Sequence, residues 1–423
     1  MKFQATPKGL LLASLSSAIL AAMALQPAVA AYDFTQPIEN ALKLGQEDAK
    51  YGQFKVNLRY RYEMNDTSDA GGKEKAHANT LRARIGYLTP KFSGLQGFVE
   101  YEGNLAMQQD YHGGKGNWKG DTSRDVVADP QSSELNQFWL SYKGIPDTEI
   151  KGGRQRIVMD GSRFIGNVGW RQMEQTYDAV TLTNKSIENL TIKAGYIGQI
   201  QDIFSRNIAV DAPYLNVNYK FNKNIAVSAY TYLIAYDNAA TQSTKTFGFN
   251  IKGSPKLNKD FRLHYEGAYS HQSEYVNNPN RFNLNRYNLL VGASYKGITV
   301  KTGVEELGSN GTQSFQTPLG TNHKFQGWAD RFLATPASGV RDVTFSVVGK
   351  VVDGTKLMFV YHNFHSPVGN TEYGNEYDFL ITRKFGKHFQ LLAKYAFYDA
   401  DTGRNSAGHT NINKFWLQAS TNF

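Results

Sequence analysis

Along much of the chain, apolar and polar residues alternate with a period of two. Phe54, Val56, Leu58, Tyr60, Tyr62 and Met64 are interleaved with Lys55, Asn57, Arg59, Arg61, Glu63 and Asn65. Successive side chains of a β-strand point to opposite faces, so this segment predicts a strand with one apolar and one polar face. Leu81, Ala83, Ile85 and Tyr87 set against Arg82 and Arg84 repeat the pattern, as do Phe261, Leu263, Tyr265 and Tyr269 against Arg262, His264 and Glu266. The last segment repeats it again, with Phe415, Leu417, Ala419, Thr421 and Phe423 against Lys414, Trp416, Gln418, Ser420 and Asn422. A soluble sandwich also alternates. Many such segments, each near ten residues with aromatic ends, instead predict an all-β, transmembrane, antiparallel up-and-down barrel.

The connections support that expectation. Short ones at 90–94, 144–147, 222–224, 296–297, 353–354 and 386–388 are interspersed with long polar ones at 109–131, 160–174, 201–211, 274–284, 307–339 and 401–412. Tight periplasmic turns and longer external loops have this rhythm. The count comes to about eighteen strands, an even number that places both chain ends on the periplasmic side. One segment, 34–50, reads as a short helix, with Ile38, Ala41, Leu42 and Leu44 forming an apolar face among Glu39, Lys43, Glu47 and Asp48. It is expected either to plug or gate the periplasmic mouth or, more commonly, to form a lead-in to the first strand.

Composition adds the compartment. Residues 1–30 read as a signal peptide: Lys2 and Lys8 precede an uncharged stretch at 9–25, and Ala28-Val29-Ala30 supplies the small-x-small cleavage pattern. Ser14, Ser16 and Ser17 interrupt that stretch, which falls short of the ~20 apolar residues of a membrane span. Beyond it no apolar run reaches the length of a transmembrane helix. The expected organisation is therefore a signal peptide at 1–30, a periplasmic segment at 31–52 and a barrel at 53–423. The 423 residues hold no cysteine, which removes disulfides, thiolate metal sites and cysteine nucleophiles from consideration. The 25 tyrosines and 25 phenylalanines suit strands that meet a bilayer interface.

Charge narrows the partners. Cleavage would remove Lys2 and Lys8 and lower the formal net charge from +9 to +7. A basic excess favours anions, and an exported chain is not expected to meet nucleic acid. The expected partners are outer-membrane lipid, lipopolysaccharide phosphate (for loop lysines such as Lys115 and Lys119), and an anionic solute or polysaccharide. The barrel-assembly machinery is expected to read the terminal aromatic Phe423, which lies on the lipid-facing parity.

The polar face of each strand lines the interior of a barrel, so alternation assigns candidate pore residues. The first strands place Arg59, Arg61, Arg82 and Arg84 there, with Glu100 and Glu102 as acidic partners within cross-strand reach. The same parity holds Lys193, Lys220, Lys252, Arg262, Arg286, Lys301, Lys394 and Lys414, opposed by Glu266, Glu305, Glu376 and Asp378. Inward basic rings select anions, whereas paired inward charges brace a wide barrel. The first reading gives an anion-selective channel, the second a general diffusion porin. A barrel enzyme is not expected. The nine histidines are scattered, and the one near pair, His362 and His365, has no nucleophile placed beside it by any motif. No cofactor motif is present, and no histidine spacing suits a metal. Asp66 with Asp69 and Asp399 with Asp401 offer only weak calcium-type carboxylates.

One stretch, from Lys151, reads K-G-G-R-Q-R-I-V-M-D-G-S-R-F-I-G-N-V-G-W-R-Q-M-E-Q-T-Y-D-A-V. With T-P-L-G-T-N-H-K-F-Q-G-W-A-D-R-F from Thr317, Y-H-N-F from Tyr361 and Y-G-N-E-Y-D from Tyr373, it resembles the alginate export family. The resemblance implies an eighteen-stranded barrel whose basic constriction conducts an acidic polysaccharide. It also implies that Arg154, Arg156, Arg163 and Arg171 lie at or near that constriction, although Arg154 and Arg156 share a parity with Ile150 and Gly152. A family does not fix a substrate, so smaller anions stay open. The long segment 307–339, with Trp328, Asp330 and Arg331, has the reach to fold inward, but an ordinary surface loop is the commoner fate.

Overall fold

A computed structural model describes residues 35–46, 48–67, 72–352 and 354–423. The expected signal peptide lies outside these residues. Eighteen strands follow one another: β1 Gln53–Thr67, β2 Ala76–Leu88, β3 Leu95–Asp110, β4 Ser132–Tyr142, β5 Thr148–Gln155 and β6 Thr176–Asn184. Next come β7 Leu190–Gln201, β8 Asn207–Asn222, β9 Ile225–Tyr236, β10 Thr244–Gly253, β11 Phe261–Glu274 and β12 Asn283–Tyr295. The chain finishes with β13 Ile298–Leu307, β14 Val340–Val352, β15 Thr355–His365, β16 Glu372–Phe385, β17 Phe389–Ala400 and β18 Ile412–Asn422. Each pairs antiparallel with its sequence neighbours, and β1 pairs with β18 through Leu58↔Thr421 and Tyr62↔Leu417, closing the barrel. Closure leaves no strand edge unpaired, which backbone groups in hydrocarbon require.

The alternation seen in the sequence becomes the two faces of the wall. Leu58, Leu81, Ile85, Val99 and Tyr101 are exposed on the outside, while Arg61, Arg82, Glu100 and Glu102 are buried within. Glycines opposite inward aromatics let the rings lie flat on the wall. A Cβ on Gly195 would come 2.6 Å from the Tyr214 ring, and one on Gly248 would come 2.5 Å from Tyr230. Most short turns follow even-numbered strands and most longer connections follow odd ones, as expected, although 254–260 after β10 is as long as 237–243 after β9. The expected long loop at 201–211 contracts to 202–206, because β8 extends its pairing back to Asn207 and carries Asp211 on the outer face, where Tyr196 donates to it.

The helix, α1, covers only Thr35–Leu42 of the expected 34–50. The chain turns at Leu44 and Gly45, both with positive φ. The helix is tied to the rim on the short-turn side, where His388 Nε2 lies 2.6 Å from Glu39 Oε1.

The core lies inside the barrel. Segments 156–175 and 308–339 turn into the lumen, so the expectation of an ordinary surface loop at 307–339 is overturned. Phe164, Phe315, Trp328 and Phe332 from these loops pack against the inward Tyr230, Tyr232, Phe364 and Tyr398. Burying several large apolar side chains offsets the cost of ordering so long a loop. The two loops also join each other: Gly166 N donates to Leu319 O at 2.9 Å, and Thr321 N donates to Ser162 O at 2.9 Å.

Candidate functional site

Charged groups from the wall and the inward loops meet in distinct clusters. In one, Arg171 from the first loop reaches Glu63 at 3.0 Å, Asp330 at 3.1 Å and Asp129 at 3.6 Å. Arg61 contacts Asp129 at 3.3 Å, and Lys414 contacts Asp330 at 2.9 Å. Three cations therefore face three carboxylates. A second cluster repeats the balance, with Arg82, Arg84 and Arg156 against Glu100, Glu102 and Glu174. Arg156 holds Glu100 at 2.6 Å and also bonds Glu174, which in turn accepts from Asn136 at 2.6 Å and Asn167 at 2.8 Å. In a third cluster, Arg163 and Arg286 share Glu305 at 2.9 and 2.6 Å. Arg163 also donates to Gln326 of the second loop at 3.1 Å, so this cluster holds both loops to the wall.

Beside the first cluster, and sharing its Asp330 and the Trp170 ring that Arg61 covers, lies a lysine box. Lys394 Nζ sits 3.8 Å from the Trp328 ring centre and 4.2 Å from that of Trp170, and donates to His323 Nε2 at 2.7 Å. His323 stacks on Trp170 at 4.9 Å, and its Nδ1 donates to Asp330 at 2.6 Å. Glu376 and Asp378 accept from the loop backbone, at Ala329 N (2.7 Å) and Trp328 N (3.2 Å). Gly327 makes that approach feasible: its φ is +77°, and a Cβ there would lie 2.3 Å from the Glu376 carboxylate. His362 bonds Asp342 at 2.9 Å, and among the described residues no hydroxyl nucleophile is bonded to it. Nor does any group of three or more His, Asp or Glu side chains among the described residues converge as metal ligands.

Electrostatics in the inward loops, outside the membrane-crossing strands, follow from this packing. Burial pushes His323 down to about 3, helped by Lys394 and Arg171 and opposed by Asp330. Burial alone would raise Asp330, but His323, Lys414 and Arg171 hold it well below the usual carboxylate range. Burial would likewise lower Arg171, yet Glu63, Asp129 and Asp330 raise it above the ordinary guanidinium value. Arg171 and Asp330 are therefore both ionised, whereas His323 is neutral.

Most of the expected pore residues thus occupy the lumen inside ion-paired clusters, two of them balanced and the third carrying two arginines on one carboxylate. Arg59 differs. Its guanidinium donates only to the carbonyls of Gly169, Trp170 and Arg171, at 3.1–3.2 Å, and it lies directly opposite Arg82 in the β1–β2 register. Among the described residues Arg59 Nε, Arg82 Nε and Nη1, and Arg84 Nη2 are buried without a hydrogen-bond partner. Arg262 reaches only Ser254. Arg154 is corrected. It pairs in register with the exposed Phe138 and with Asp178, which it holds at 2.7 Å. It therefore belongs to the outer face and not to the pore. The Ile150–Gly152–Arg154 parity was the correct one for Arg154, whereas Arg156 lies past the end of β5 and turns inward.

Asp129, Glu63, Glu174, His323 and Asp342 were not among the candidate residues. Glu174, Arg171 and His323 do lie inside the quoted sequence blocks, so those blocks mark the two inward loops. Asp129 stands in a polar loop with no local signal, and only its contact with Arg61 gives it a role.

A closed eighteen-stranded barrel with loops folded into its lumen is the fold of an outer-membrane porin. Residues 50–192 match the alginate export family, so the resemblance is borne out over that stretch, and the blocks from Thr317 to Asp378 fall outside the match. No curated protein matches the sequence. Solved structures do match: OccAB2 of Acinetobacter baumannii is similar at 17% identity and a TM-score of 0.70, over 88% of this chain and 98% of that one. OccK9 (OpdG) of Pseudomonas aeruginosa is similar at 15% identity and a TM-score of 0.70, with the same coverage. OpdK of Pseudomonas aeruginosa, solved with vanillate, is similar at 10% identity and a TM-score of 0.67, again over 88% and 98%. At these identities the likeness establishes the fold.

Proposed function

We propose that this protein is an outer-membrane channel that prefers anions and passes carboxylated solutes, with acidic polysaccharide of the polyuronate type as the leading substrate class. The observation that carries the reading is an imbalance among lumen charges outside the ion-paired clusters. Arg59, Lys193, Lys220, Lys252, Arg262, Lys301 and Lys324 make no ion pair among the described residues. They outnumber Glu134, Asp160, Glu266 and Glu376, the corresponding carboxylates. Like charges facing each other across a strand pair, such as Arg59 and Arg82, repel unless an anion lies between them. Unpartnered guanidinium N–H groups suit a carboxylate's two oxygens. In this reading the clustered arginines brace the wall and the unpaired cations set the selectivity.

A second reading, a channel for small organic anions, is favoured by the inward loops, which narrow the lumen. It is also favoured by the likeness to a porin solved with vanillate, a small carboxylate. Adding oligomannuronate to one side of a bilayer holding the purified protein separates the two. Current block supports the polyuronate reading, and unblocked anion current supports the small-anion reading.

A further inference from the structure

Beneath the first inward loop a cavity of about 180 Å³ lies against the lumen face of β5 to β8. That is room for about six waters, the bulk of one pyranose ring. Strand register builds it. Lys151 faces Thr181, Thr181 faces Gly195 and Gly195 faces Tyr214, while the adjacent row runs from Thr183 to Lys193. With no side chain on Gly195, the Tyr214 ring lies on the wall and its hydroxyl is left without a hydrogen bond among the described residues. Arg156, which remains one-third exposed while holding Glu100 and Glu174, begins the loop that roofs the cavity.

The lining is polar, and its cations are unevenly used. Lys193 makes no ion pair or hydrogen bond among the described residues. Lys151 stands 4.4 Å over the Trp139 ring and 3.7 Å from Glu149, a carboxylate it shares with Lys143. An uncommitted ammonium, neutral hydroxyls and a nearby aromatic face form a set that matches a ring carrying several hydroxyls and one carboxylate. We propose that this cavity is a binding site for a single uronate unit, taken either as a free sugar acid or as one residue of an acidic chain. The site rests on the anion-channel reading and adds a station to it, on the short-turn side of the clasped loops.

Single-channel currents of the full-length protein test the site, with D-glucuronate added to the short-turn side and D-glucose as the neutral control. Glucuronate interrupts the current and glucose does not. Lys193→Ala weakens the apparent affinity about tenfold, the scale of one charge-assisted hydrogen bond. Tyr214→Phe weakens it a few-fold, and Lys115→Ala in an external loop leaves it unchanged. Block by oligomannuronate that Lys193→Ala also weakens marks the bound unit as part of a chain, whereas sensitivity confined to glucuronate marks it as a free acid. Unchanged glucuronate affinity in Lys193→Ala, or equal block by glucose, overturns the site. In that case the wild-type reversal potential still points to anions. Failure of the channel reading itself would appear as loss of that potential.

Discussion

Arg171 and Arg59 are both lumen guanidiniums close to the first inward loop, and their partners give them opposite roles. Arg171 neutralises Glu63, Asp129 and Asp330 away from bulk water. Arg171→Met leaves buried Glu63 without an ion-pair partner, while Asp129 keeps Arg61 and Asp330 keeps Lys414. Breaking such a buried pair costs about 3–5 kcal/mol and should lower the unfolding midpoint in detergent solution. Arg59 touches only backbone carbonyls. Arg59→Gln should therefore leave that midpoint nearly unchanged while reducing the ratio of anion to cation permeability. Arg154→Ala should alter neither, because its ion pair with Asp178 lies on the outer face. A shift in selectivity in that variant would place Arg154 back in the pore. At this scale sequence legibility ended where parity did. Arg61, Arg82 and Glu102 sit in long alternating strands that fix their face, whereas Arg154 follows two glycines that carry no facial signal.

The elements divide in the same way. Strands were legible because a two-residue period is a local property. The inward course of 308–339 was not, because it depends on partners far away in sequence: Glu376 and Asp378 on β16, Lys394 on β17 and Trp416 on β18. The loop's anchoring leads to a prediction at Gly327. Valine there would clash with the Glu376 carboxylate and strain a left-handed backbone, so Gly327→Val should detach the loop tip and raise single-channel conductance. Unchanged conductance would mean that this loop does not narrow the pore.

Helix α1 has a gentler restraint. His388 donates from Nδ1 to the Asn422 carbonyl and from Nε2 to Glu39, so its ring needs both protons. The Asn422 carbonyl raises its pKa most, exposure to Glu39 adds to this, and partial burial opposes both. A folded-state pKa raised above the unperturbed ~6.5 means the staple is fully present below that pH and is lost as pH rises through the raised value. A spin label at position 38 should therefore be less mobile at pH 6 than at pH 9. Glu39→Gln should remove most of that difference.

For the whole molecule, barrel closure and charge act together. The wall is sealed by β1 and β18, its interior is held by loops and ion-paired clusters, and in the proposed reading the remaining cations give the lumen its sign. Strand number and closure could be read from alternation and turn spacing. The net lumen sign could not, since counting inward arginines overlooks the loop carboxylates Asp129, Glu174 and Asp330 that neutralise them. The measurement that tests the central claim most directly is the reversal potential of the purified protein in a planar bilayer under a salt gradient. The unpaired lumen cations predict a potential directed to the anion, with chloride the more permeant ion. A potential at zero or directed to the cation would contradict that account and reduce the basic residues to braces.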